Sequence, residues 1–437
     1  MTVLKHMHAN NRKNLCKKLP KGIVVGLGQV DVIRNSDVHY PFRQESNFLY
    51  LSGIQMPDFA FILLLETNQF FIFMPKIDAK HVVWLGKIPS PTEIQKEYGA
   101  SKVGFLDQFE TVLSKFHPGK QNVYVLGSKQ SKLWKKTAPY VHAKNQKTLS
   151  NCMAELRYIK SEAEINLLQT SAKISALGHR AAMDKAKPGK FEYEIQSYIE
   201  HVFRLNGASQ TAYGSIVASG KNSAVLHYFQ NNAKLKAGDL LLIDAGCEVE
   251  GYAADITRTF AVSGKLTSPQ KEIYEIVLNA QKKAIQNIRP GRRFRELHDL
   301  SSQVMLEGLK DMGLLKGNVS DMFEAGVEKL FFPHGLGHPL GLDVHDVSPV
   351  EPQTGVKKKK GQLRANVKLE VNSVWTVEPG IYFIDVLLKD PKNRKKFKDF
   401  VHWPKVDRFL NFGGIRIEDD VVVTSGTPKI LTASCPK

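Results

Sequence analysis

Three histidines, His334, His338 and His345, fall within the stretch Phe332-Pro-His-Gly-Leu-Gly-His-Pro-Leu-Gly-Leu-Asp-Val-His-Asp346. That stretch is too rich in Gly and Pro to be a helix. A loop that holds imidazoles in place and lets backbone approach closely is the expected form. Four acids flank it in strand-like surroundings: Asp244, Asp255, Glu378 and Glu418. An acid in an apolar strand costs free energy unless something compensates it. Taken singly, each could be satisfied by an arginine or by turn amides. Converging together, they would stay protonated unless a cation joined them. Four carboxylates and an imidazole are too oxygen-rich for a structural zinc site and too nitrogen-bearing for a calcium cage. Bridging carboxylates suit two divalent ions that together activate water at neutral pH and polarise a carbonyl. Loop histidines left over would orient a substrate and its tetrahedral intermediate.

The elements that must position these groups are partly visible. Leu240-Leu-Leu-Ile-Asp244 and Ala254-Asp-Ile-Thr-Arg-Thr-Phe260 read as the arms of a β-hairpin turning at Glu248-Val-Glu-Gly251. Alternation then puts Asp255, Thr257 and Thr259 on one face. Glu378 closes an apolar run just before a Pro-Gly turn, and Arg416 and Glu418, two apart, share one face of a strand. Ser161 with Glu164 three residues on forms a capping-box pattern that opens a long helix. We place a domain boundary there, giving domains 1–155 and 156–437. Ala186-Lys-Pro-Gly-Lys-Phe-Glu is echoed by Ile288-Arg-Pro-Gly-Arg-Arg-Phe, each a helix end, a turn and a new helix. The echo suggests two related halves in the second domain. Upstream, strand-length apolar runs at Ile23–Val25, Phe48–Leu51, Phe59–Leu65, Phe70–Met74 and Val123–Leu126 read as an α/β domain. It carries no cluster of histidine with acids.

The chain has 437 residues, 42% hydrophobic and 24% charged, an ordinary globular composition with room for two cores. No window holds the roughly 18 consecutive apolar residues of a membrane span. The stretch before Asp31 is basic and has no apolar stretch of the secretory type, which leaves a transit peptide or a basic first helix; the charges are mostly Lys and the strand pattern begins at Ile23, which favours the helix. Cys16, Cys152, Cys247 and Cys435 are far apart, which fits a reducing compartment and no cysteine metal site. The net charge of +18 raises the question of a polyanion partner. The densest runs, Lys357–Lys360 and Lys392–Lys398, have no aromatic platform between their charges and read as solvated loops. We therefore expect no nucleic-acid and no membrane partner.

The motifs Ile243-Asp-Ala-Gly, Ala254-Asp-Ile-Thr-Arg-Thr-Phe, His334-Gly-Leu-Gly-His, Gly341-Leu-Asp-Val-His-Asp, Thr376-Val-Glu-Pro-Gly-Ile-Tyr and Gly414-Ile-Arg-Ile-Glu-Asp resemble the dinuclear centre of the pita-bread metallopeptidases. Tyr40-Pro-Phe-Arg-Gln-Glu-Ser-Asn-Phe-Leu-Tyr-Leu-Ser-Gly is similar to the start of the aminopeptidase P and prolidase branch, which methionine aminopeptidases lack. The resemblance implies an α/β (α+β) chain: an aminopeptidase P-like α/β domain, then a pita-bread catalytic domain with pseudo-twofold halves. It implies that Asp255 and Glu418 bridge two metals, Asp244 chelates one, and His338 and Glu378 bind the other. Manganese is the typical metal, with cobalt or zinc as substitutes. By the same resemblance Glu378 is the general base for a metal-activated hydroxide, and His334 and His345 stabilise the intermediate. His227 lines the proline pocket, Arg416 holds Glu418, and Thr257 supports Asp255. Arg364 falls where prolidases bind the dipeptide's carboxylate, and Tyr213 matches a position near the substrate's amino end. Gly337 departs from related sequences and carries no ligand. The expectation is a cytoplasmic, homodimeric Xaa-Pro dipeptidase. The alternatives are an Xaa-Pro aminopeptidase acting on longer peptides and, remotely, a non-catalytic binding module on the same fold.

Overall fold

The computed structural model describes residues 2–116, 122–350 and 363–437. The chain forms two compact units, Met1–Arg157 and Tyr158–Lys437. The first is built on a five-stranded mixed sheet in the order Lys102–Phe105, Gln69–Met74, Ala60–Leu64, Gly22–Leu27, Asn122–Gly127. Its two parallel pairs lie at the ends of that order and its two antiparallel pairs at the centre. Ile23, Val25, Ile62, Phe73 and Val125 bury one face against Phe109 and Leu113. The basic first segment is a helix, Thr2–Lys18.

One expected strand is a helix. Phe48–Leu51 lies in Ser46–Ser52, where Glu45 accepts from the Phe48 amide and Gly53 ends the turn at φ 75°. Caps at both ends overrule the apolar run, which is too short for its period to decide. Lys392–Lys396 is likewise part of a short helix, Pro391–Lys396, capped by Asp390, rather than a loop. The Lys357–Lys360 run lies outside the described residues.

In the second unit the helices come in two pairs. Glu162–Lys185, opened by the Ser161/Glu164 capping box, is followed by Glu192–Leu205, and Ser268–Gln286 by Phe294–Asp311. The first pair buries Ile174, Ile195, Ile199 and Phe203 against Val217, Leu241 and Ile243. The second buries Ile273, Val277, Leu306 and Leu309 against Ile381, Ile415 and Ile417. Each Pro-Gly echo joins the two helices of one pair, so the unit has the two-halved pita-bread architecture.

The expected hairpin is only partly formed. Leu240–Asp244 does pair antiparallel with Thr257–Ala261 and, on its other edge, with Ile216–Ser219. The connection, however, makes its own small sheet from Cys247–Val249 and Tyr252–Ala253, and Asp255 falls in the break after it. Leu241 and Ile243 face the first helix pair, so alternation turns Asp244 to the opposite side. In the other half Val374–Val377 pairs with Asp419–Val422, and Gly380–Tyr382 with Gly414–Arg416. Glu378 and Glu418 occupy the breaks between these strands. No helix among the described residues is long and apolar enough to cross a membrane.

Candidate metal centre

All four acids and all three loop histidines open onto one cavity of about 590 Å³. Ligand atoms of Asp255, His338 and Glu418 lie within 4.8 Å of one another. His338 Nε2 is 3.5 Å from Asp255 Oδ2 and 3.6 Å from Glu378 Oε1. Asp244 joins through Tyr213, whose hydroxyl is 2.7 Å from Asp244 Oδ1 and 2.6 Å from Asp255 Oδ1.

The tautomer of His338 shows what the cluster needs. Its Nδ1 is 3.0 Å from the Pro339 carbonyl, an acceptor only, so Nδ1 carries the hydrogen and donates. That leaves the Nε2 lone pair aimed at two carboxylates, an arrangement that needs a proton or a cation between them. Burial pulls the imidazole down, but the Asp255 hydrogen bond and the Glu378 charge outweigh it and leave the pKa raised. Burial also pushes the Glu378 carboxyl up to about 7, against the pull of His338 and Arg416. Glu418 is driven well above the carboxylate range by burial and by Asp255, Glu378 and Asp244. Oxygen-rich donors with one imidazole, mutually repelling and buried, fit divalent cations. The residues present suit the group the motifs imply.

A second layer of hydrogen bonds fixes the donors. Arg416 reaches Asp244 Oδ2 at 2.5 Å, the Thr257 hydroxyl at 3.0 Å and the Tyr382 hydroxyl at 2.9 Å. Thr257 Oγ1 in turn donates to Glu418 Oε2 at 2.6 Å. This differs from the expected arrangement: Thr257 serves Glu418 rather than Asp255, and Arg416 reaches Glu418 through Thr257 while gripping Asp244 directly. The reason is the strand break. Asp255 precedes the strand that carries Thr257, so the two do not share the regular pleat of one strand. Asp255 instead leans on Tyr213 and, through its amide, on Asp420 Oδ2 at 3.1 Å.

His334 donates from Nδ1 to the Gly335 carbonyl at 2.8 Å and accepts at Nε2 from the Tyr382 hydroxyl, also at 2.8 Å. Burial, with Arg416 nearby, holds its pKa down to about 3, so it is neutral. His345 packs edge-on against His338 with ring centroids 4.4 Å apart. His227 and Arg364 line the same cavity and are exposed to it. The Tyr213 hydroxyl lies within hydrogen-bond reach of both aspartates.

Several contributors carry little sequence signal. Lys160 and Asp346, each 1% exposed in its side chain, form an ion pair at 3.0 Å beside His345. Glu192, fully buried, accepts from the Ser219 amide and hydroxyl, Asn222, Tyr228 and the Ala233 amide, bracketing the loop that carries His227. Their hint was position alone: Lys160 beside a capping box, Asp346 beside a histidine, Glu192 at the start of a helix after Pro-Gly. Gly337 carries no ligand but shapes the loop's path: a Cβ there would stand 2.1 Å from the Thr376 carbonyl oxygen. Only glycine admits the close passage that brings His338 onto the strand Val374–Val377.

Comparison with known proteins agrees with this geometry. Residues 166–425 match the model of metallopeptidase family M24, and residues 8–124 that of the aminopeptidase P N-terminal domain. The chain is 38% identical to a Haemophilus influenzae Xaa-Pro aminopeptidase over 96% of its own length and 91% of that protein. It is 34% identical to the Homo sapiens Xaa-Pro dipeptidase over 98% and 90%. Among solved structures, aminopeptidase PepP of Pseudomonas aeruginosa superposes with a TM-score of 0.85 at 33% identity, covering 99% of this chain and 96% of that one.

Proposed function

The chain belongs to metallopeptidase family M24, and from that premise we propose that it hydrolyses the Xaa-Pro bond, with dipeptides as preferred substrates. One observation carries the reading: the carboxylate–imidazole cluster and the exposed Arg364 open onto the same cavity. A dipeptide ends in a carboxylate just past its scissile bond, and a guanidinium grips it with two parallel bonds.

Two divalent cations held by Asp244, Asp255, His338, Glu378 and Glu418, manganese in our reading with cobalt or zinc as substitutes, would supply a polarised carbonyl and a water of lowered pKa. Glu378 accepts that water's proton and passes it to the departing proline nitrogen. His334, kept neutral by burial and Arg416 and hydrogen-bonded by Tyr382, and His345, packed on His338, face the tetrahedral intermediate. His227 closes the proline side. Tyr213 holds the two aspartates at a fixed separation. The working form is a cytoplasmic homodimer, which sedimentation at assay concentration checks.

The aminopeptidase name of the Haemophilus relative favours a second reading, cleavage of longer Xaa-Pro peptides. Paired assays of Ala-Pro and Ala-Pro-Ala with added manganese separate the two. We expect faster turnover of Ala-Pro, with Arg364→Ala raising KM for the dipeptide and leaving the tripeptide nearly unaffected. Strong tripeptide cleavage with little on the dipeptide would overturn the dipeptidase reading.

A further inference from the structure

Away from the metal centre, a second cleft of about 280 Å³ opens between the helix Phe294–Asp311 and the segment Val327–Leu330. Two buried atoms of its lining have no hydrogen-bond partner among the described residues: Oε2 of Glu328, a residue only 7% exposed, and Nδ1 of His298. Burying a polar atom without a partner costs stability, and native structures rarely carry two in one place unless something else meets them. Around them the lining holds Arg295, Lys329 and Lys396 against Asp299 and Glu324. A metal ion does not fit. Among the described residues the only acid–histidine group tight enough for one is Asp255, His338 and Glu418.

We propose that this cleft is a second binding site, for a small zwitterion of amino-acid type. The cations Arg295, Lys329 and Lys396 meet its carboxylate, and Glu328 with His298 takes its ammonium end. Burial holds the Glu328 carboxyl above its usual range, only partly offset by the Lys329 and Lys396 charges, and holds the His298 imidazole down at about 4. An ammonium group in the cleft supplies the hydrogen-bond donor that Glu328 Oε2 and His298 Nδ1 lack. The site also touches the catalytic loop. The His298 ring lies 5.4 Å from that of Phe332, which stands edge-on to His334 at 4.7 Å. An occupant therefore bears on His334 through one aromatic ring. Xaa-Pro hydrolysis releases two amino acids, so a product-sensing role follows; that role rests on the function proposed above, whereas binding itself does not.

The test is calorimetry on the metal-loaded full chain with L-alanine, against acetate and methylammonium as single-charge controls, together with a crystal soaked in L-alanine. We expect alanine density in the cleft and weaker binding of either control. Glu328→Gln should weaken this binding about tenfold or more and leave Ala-Pro turnover without added alanine unchanged. Lys396→Ala, an exposed position, should weaken it too and serves if Glu328→Gln does not fold. Alanine found only in the metal cavity, with water satisfying Glu328 and His298, overturns the proposal, as does undiminished affinity in both variants. A wild type that binds alanine here but hydrolyses no Xaa-Pro substrate would overturn the proposed function and leave this site standing.

Discussion

Glu378 shows how one side chain serves opposite demands. Its pKa of about 7 without a cation reflects burial first, with Asp255 and Asp244 adding to it. A carboxyl raised from 4.5 to about 7 stabilises the fold fully below the lower value, and that stability is lost as pH climbs through the higher one. In chelator-treated protein, Glu378→Gln should therefore gain melting temperature relative to wild type as pH rises from 4.5 to 7, then level off. A parallel pair of pH-resolved melting curves checks it; a difference that shrinks over this window sinks the pKa argument. In the metal-loaded enzyme the same variant should lose about 10²–10⁴-fold in kcat, read with Ala-Pro alongside metal content by elemental analysis.

At the scale of elements, the histidine loop is held at both ends. Its first end is laid on the strand Val374–Val377, where the His338 amide donates to Thr376 Oγ1 and the Thr376 amide to the His338 carbonyl. Its far end is held by Lys160, whose ammonium meets Asp346 next to His345. A Cβ at Gly341 would stand 2.0 Å from that same Asp346 carboxylate, so any side chain there must displace the Lys160–Asp346 pair. Lys160→Met strips the buried Asp346 carboxylate of its ammonium partner and should cost about 3–5 kcal/mol in denaturant unfolding, with Asp346→Asn in the same chain recovering part of it. The loop with His227 depends in the same way on Glu192, which organises its Ser219, Asn222 and Tyr228. Glu192→Ala should raise KM about tenfold with a smaller change in kcat, since the loss falls on substrate binding. An unchanged KM would mean that the loop keeps its shape without the carboxylate.

For the whole molecule, the acid cluster is assembled from both halves of Tyr158–Lys437. Asp244 and Asp255 come from one half, Glu378 and Glu418 from the other, and Arg416 ties them together. Cations that bind only this assembled set should raise the melting temperature with concentration, by about 4 kcal/mol of stability at a thousandfold excess over Kd. Scanning calorimetry with stepwise manganese after chelation measures it; a melting temperature indifferent to manganese would contradict the metal-centre reading. The sequence by itself determined which residue types stand in which local surroundings: the Gly- and Pro-rich loop, acids at strand ends, the Ser161 cap and the paired Pro-Gly turns. Those features depend on neighbours within a few positions, where period and capping act. The short run Phe48–Leu51 misled because caps outside it decided its form. Only the tertiary structure decided that Thr257 serves Glu418, that Lys160 meets Asp346 across 186 positions and that Gly337 must pass beside Thr376. Such contacts are fixed by how packed strands and helices bring distant segments together, and no local pattern records them.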